Sequence, residues 1–173
     1  MQSVADEARG AFVLIPGAGG MAWYWHRLVP LLGPCKCHDP CPGEKAGAWW
    51  QNTRSADSRV ATAQTRGYNS TFDVPTYFLH DVPEAVLRTG PARQRDQAES
   101  IFEEPCRFER WPGIPIHVIA SADDRFFPVE FQQRIARERL GKETLVIPGG
   151  HLVALARPDE LAEQLLALEG EMR

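Results

Sequence analysis

The stretch "IPIHVIASADDRFFPVEFQQRIARERL" (residues 114–140), with its continuation "ETLVIPGGHLVALARPDELAEQLLAL" (143–168), decides the fold. Each half opens on a short apolar run, 114–120 and 143–148, that reads as a buried strand. Each then crosses a loop into an apolar stripe at helical spacing. In the first half Pro128 stands at the first turn and Phe131 and Ile135 share a face. In the second, Pro158 opens a helix with Leu161, Leu165 and Leu168 on one face. Strands alternating with helices predict a parallel sheet.

Toward the N-terminus, "AFVLIP" (11–16) is another apolar run, ended by Pro-Gly. It has the look of a strand buried on both faces. The loop "GAGG" and the segment "MAWYWHRLVPLL" follow, with Trp25, Leu28 and Leu32 on one helical face. Residues 33–112 differ. They hold eight of the fourteen prolines and patches such as "QNTRSADSR" with little periodicity. "PTYFLHDVPEAVL" and "PARQRDQAESIF" each suit a short helix. The expected organisation is one α/β domain, 1–173. It has a first strand, loop and helix at 11–32, a junction at 33–45, an irregular or helical cap at 46–112, and two strand–helix units at 113–168.

With 173 residues, 43% hydrophobic and 24% charged, the chain can bury a substantial core. Its net charge of −4 and scattered arginines give no electrostatic reason for a nucleic-acid or anionic-membrane partner. The opening "MQSVADEARG" lacks the basic and apolar regions of a secretory signal. No apolar run approaches the ~20 residues of a membrane span. The expectation is a soluble, cytoplasmic protein with reduced thiols. The glycine loop is not G-x-G-x-x-G, so no dinucleotide site is expected; the expectation is a chain without cofactor or metal, with metal binding kept as an alternative.

Three loops leave the C-terminal ends of the three strands, where open α/β sheets place their sites. The first is Gly17-Ala18-Gly19-Gly20, whose backbone N–H groups could approach a ligand oxygen at a helix N-terminus. The second carries Asp123 and Asp124; the third puts His151 on a Gly-Gly bend. Singly, each suits an ordinary turn. Together, an acid, a histidine and an oxyanion loop after three strands form the layout of acyl-transfer chemistry.

"FVLIPGAGGMAWYWHRLVPLL", "DDRFFPVEFQ" and "IPGGHLVALARPDELAEQL" resemble the α/β-hydrolase superfamily. The nearest likeness is to its small-ester hydrolases, the group of plant methylesterases and hydroxynitrile lyases. "WWQNTRSADSRV" and "TYFLHDVPEAV" are similar to that group's cap. The resemblance implies a carboxylic-ester hydrolase acting on a small ester. Asp124 would be the triad acid and His151 the general base. Gly17, Ala18 and Gly19 would form the oxyanion loop. It also suggests a cap pocket of Trp49, Trp50, Tyr77, Phe78 and His80 for an ester or apolar ligand.

Three departures stand against the pattern. Pro16 replaces the usual histidine before Gly17, and Ser121 replaces a usual glycine. The third is the serious one. The family orders its triad Ser, Asp, His, with the serine on a G-x-S-x-G elbow. None of Ser3, Ser55, Ser58, Ser70, Ser100 and Ser121 has that setting. Where the elbow and its neighbouring strands belong, the chain reads "GPCKCHDPCPGE".

That interval has three readings. Gly33-Pro34-Cys35-Lys36-Cys37 is a G-x-C-x-C with Cys35 as nucleophile, but no strand precedes it and no helix follows. Cys35, Cys37, His38 and Cys41 are four zinc-type ligands, packed more tightly than usual zinc spacings. The favoured reading is a junction left by loss of a βαβαβ segment of roughly 55–60 residues. That loss would leave the first strand's backbone groups without partners, at ~1–3 kcal/mol each. The strand would then re-pair across the gap, or a second chain would fill it at the open sheet edge, or the chain would be only marginally folded. On this reading the chain is either an impaired hydrolase or a non-catalytic, ligand-binding member of the lineage. The metal-binding alternative rests on the cysteine cluster.

Overall fold

A computed structural model describes residues 41–90, 102, 103, 105 and 116–171. The first strand, the Gly17–Gly20 loop, the 21–32 helix, Cys35, Cys37 and His38 lie outside the described residues, as does most of the 91–102 helix.

The two strand–helix units form as the apolar pattern requires. Strand β1 (Val118–Ser121) pairs in parallel with β2 (Thr144–Ile147), Val118 opposite Thr144 and Ser121 opposite Ile147. Both strands are shorter than the apolar runs suggest. Neither is buried along its length: Leu145 and Val146 in the middle of β2 are 39% and 46% exposed. Among the described residues the sheet has two strands, so its surface is only partly covered.

Helix α5 (Val129–Ile135) packs Phe131 and Ile135 inward. A single α-helix to Leu140 was expected; instead the backbone widens to a π-helical stretch over Ala136–Leu140, closed by Gly141 at φ 62°. After β2 a short α6 (Val153–Ala156) precedes α7 (Pro158–Glu171). Leu161, Leu165 and Leu168 are buried, as their spacing predicts. Leu161, Ala162 and Leu165 meet Ile147 and Ala154, with Ile119 and Val153 against them, and this cluster seats the sheet on α6 and α7.

Residues 46–90 are more regular than an irregular lid. They make α1 (Ala46–Asn52), α2 (Ser55–Arg66), α3 (Val74–Phe78) and α4 (Glu84–Leu87). The patch "QNTRSADSR" lacks a period because it spans two helices. Arg54, at φ 55°, turns the chain between them, and the buried Thr53 hydroxyl donates to the Trp49 carbonyl at 2.7 Å. The helical phase therefore restarts at Ser55. Gly67, left-handed at φ 74°, closes α2, and the Asp73 carboxylate caps α3 by accepting from Thr76 N–H at 2.7 Å.

An aromatic seam joins cap to sheet unit. Trp49 meets Phe127 and Phe131 edge-on at 5.7 and 6.1 Å, and Trp50 stacks on Phe127 at 5.6 Å. Arg134 donates to the Thr53 carbonyl at 2.6 Å. Arg139, in the π-helical stretch, grips Glu44 with both ends of its guanidinium, at 2.5 and 3.0 Å. Asn52 Nδ2 and the Cys41 N–H also donate to this carboxylate. The Arg139 hydrogen bond is the main reason that Glu44 is lowered from 4.5 to about 2.

The sign follows directly. Between about 2 and 4.5 the unfolded chain binds the proton that folded Glu44 refuses, so this contribution is complete above 4.5 and lost as pH falls toward 2. Glu44→Gln should flatten the acid limb of the stability curve in that window. It should also cost about 2–3 kcal/mol at neutral pH, since the buried contact between Glu44 and Arg139 loses the carboxylate charge. Urea melts of both proteins from pH 7 to pH 2.5 check it.

Candidate active site

The site begins at the C-terminal ends of β1 and β2. Beyond Ser121 the ladder continues, with Ala122 N–H donating to the Ile147 carbonyl and Asp123 N–H to the Gly149 carbonyl at 2.9 and 3.0 Å. The Asp123 carboxylate accepts from Gly149 N–H at 3.3 Å, clasping the second loop to the first. Gly149, at φ 120°, has Val153 and Arg157 side-chain carbons 3.0 and 3.1 Å from where a Cβ would stand. Only glycine suits that conformation and that space.

Asp124 is 6% exposed. Its Oδ1 accepts from the N–H groups of Phe126 and Phe127, both at 2.8 Å, so the carboxylate shapes its own turn ahead of Pro128. Its Oδ2 lies 3.0 Å from His151 Nδ1. An ionised carboxylate only accepts, so Nδ1 donates. In the neutral imidazole this leaves the lone pair on Nε2, the atom a general base uses. The ring stacks on Phe78 at 4.3 Å and meets Phe126 and Phe127 at 5.2 and 5.5 Å. Three aromatic walls and one carboxylate hold the imidazole.

The cap reaches this loop directly. Asp81, between α3 and α4, accepts from Gly150 N–H through Oδ2 at 2.6 Å. Its Oδ1 and His80 Nε2 are buried without a hydrogen-bond partner among the described residues. Arg125 donates to the Thr76 carbonyl at 3.3 Å and lies over the Tyr68 ring at 4.8 Å. Burial, and next the nearby Arg125 charge, push His80 below its usual 6.5. The fold therefore favours neutral His80, whose contribution is present above 6.5 and declines as pH falls below it. His80→Gln should make stability less dependent on pH just below 6.5, which thermal melts across pH 5–7.5 read out.

The proposed cap residues part company. Trp50 lines an open groove, Phe78 stacks on His151, and His80 packs behind Gly150. Trp49 belongs to the aromatic seam. Tyr77 is fully buried and donates its hydroxyl to the Asn69 carbonyl at 2.7 Å; it is core, not a wall open to ligand. Asp81, and the packing of Phe126 and Phe127 on His151, were not foreseen. Phe126 and Phe127 stand inside the motif that marks Asp124, whereas nothing local marks Asp81. Gly17, Ala18 and Gly19 lie outside the described residues. So do Cys35, Cys37 and His38, while Cys41 is exposed with a free thiol.

An acid and a histidine joined across the ends of two adjacent parallel strands, with α3 and the segment after it packed against the histidine loop, define an α/β domain. The model of the Alpha/beta hydrolase family matches residues 37–164, a span that holds both side chains and the cap. The chain belongs to the alpha/beta hydrolase family. No curated protein matches it. No helix among the described residues is long and apolar enough to cross a membrane.

Proposed function

We propose that this chain is of carboxylic-ester-hydrolase lineage, nearest to the small-ester hydrolases, and that it has kept the acid–base pair while losing the serine nucleophile. The observation that carries the reading is the 3.0 Å contact between His151 Nδ1 and Asp124 Oδ2. In such a relay the carboxylate orients the imidazole and stabilises its protonated form, and Nε2 takes the proton of the attacking group. That role needs a hydroxyl or thiol held at Nε2. The absence of any G-x-S-x-G from the sequence supports the loss. The same absence favours a second reading, a non-catalytic ligand-binding member, whose pocket would lie under the cap beside Trp50 and Phe78.

The decisive test of the lost nucleophile is labelling. Incubation of the full chain with a fluorophosphonate should leave its intact mass unchanged. A stoichiometric adduct, mapped to any one serine, would overturn the reading. We propose also that chains self-associate through an unpaired edge of the sheet. Val146→Lys should then lower the sedimentation coefficient at high protein concentration, and identical profiles would dismiss the idea.

A further inference from the structure

The start of α2 borders an open groove of about 590 Å³, walled by Trp50, Phe72 and Phe126 and bearing Arg54, Asp57 and Arg59. The charges are not equivalent. Arg54 and Asp57 pair with one another at 2.9 Å, both well exposed to solvent. Arg59 has no such partner among the described residues. Its guanidinium carbon lies 5.3 Å from the Phe126 ring centre, 5.8 Å from Phe72 and 5.7 Å from Tyr77. Its Nε is buried with no hydrogen bond. Aromatic faces attract the cation but accept none of its N–H groups in the way an oxygen does.

We infer that this groove binds an amphiphilic carboxylate, a flat apolar acid whose carboxylate meets the Arg59 guanidinium while its body lies along Trp50, Phe72 and Phe126. A planar fork of donors matches a carboxylate's two oxygens, and the match gains strength beside apolar walls. The aromatic walls favour an aromatic or aliphatic body, and Gln51 and Ser55 add polar edges, while the further charges of a polyphosphate would meet the Asp57 carboxylate. Phe126 serves both places. Its ring lies 5.3 Å from the Arg59 guanidinium carbon and 5.2 Å from the His151 ring, so it stands between the groove and the imidazole. The inference needs only the groove. It goes beyond the hydrolase reading and stands or falls separately.

The experiment is a titration of the full chain with 2-naphthoate and with its methyl ester, following the Trp50 indole N–H resonance. Naphthoate should bind at least tenfold more tightly than the ester. Arg59→Met should abolish that preference while retaining ester binding, and Arg59→Lys, which keeps charge without the fork, should fall between. Equal affinity of acid and ester for the unmodified chain would overturn the inference. So would a preference that survives Arg59→Met, or no shift of Trp50 with either compound. Should Arg59→Met fail to fold, the acid–ester comparison and the lysine variant decide.

Discussion

Hydrolysis of p-nitrophenyl acetate by the full chain should exceed the rate in water by ~10³–10⁴-fold at most, which is about a millionfold below the kcat of an intact serine relay. The relay's acid and base cannot supply the missing step. His151 Nε2 can take a proton, but a water molecule would need to be held in line with the ester carbonyl, and Phe78, Phe126 and Phe127 offer that water no hydrogen bond through their side chains. The second oxyanion donor, in the family pattern, is the N–H after the nucleophile, and it goes with the elbow. His151→Ala should therefore leave the residual rate nearly unchanged, whereas in an intact relay the loss of the base is about as severe as the loss of the nucleophile. Stopped-flow assays of the two proteins at matched concentration settle it. Brisk turnover abolished by Cys35→Ala would instead identify Cys35 as the nucleophile.

Gly150→Ala should destabilise the fold by about 3 kcal/mol, lowering Tm by roughly 6–12 °C. An added Cβ would stand 2.5 Å from Asp81 Oδ1 and 2.7 Å from His80 Nε2. Asp81 cannot yield freely, because its other oxygen holds Gly150 N–H at 2.6 Å. The methyl group must displace the carboxylate, break that bond and push apart the cap and the histidine loop. Gly170→Ala is the control. Nothing lies within 4 Å of that position in α7, so alanine should be neutral or stabilising by about 0.5–1 kcal/mol. Asp81→Ala would open the space, and the double variant with Gly150→Ala should then be less destabilised than the sum of the two single changes. Strict additivity would show that the contact is slack.

Asp124 and His151 were legible because local sequence carries their setting. Each follows an apolar run of strand type, Asp124 stands just ahead of the proline that opens α5, and parallel neighbours deliver both loops to one end of the sheet. The distinction between Asp123 and Asp124 needed coordinates: Asp123 clasps Gly149, and Asp124 faces the imidazole. The cap was less readable. Its helices α1 and α2 are broken at Arg54, and a reset of phase within nine residues erases the periodicity that reveals a longer helix.

By itself the sequence determined the strand–helix alternation, the faces of α5 and α7, the loops that bring Asp124 and His151 together, and the absence of a G-x-S-x-G string. These properties depend on spacing along the chain, and periodicity records spacing. Tertiary structure alone decided that Asp81 reaches 69 positions along the chain to Gly150, that Arg139 holds Glu44 across 95, and that Tyr77 is core while Trp50 is wall. It also placed Arg59 among aromatic rings, its Nε without an acceptor among the described residues. Such contacts join residues whose separation has no period, and burial depends on what packs above a side chain rather than on what stands beside it in sequence.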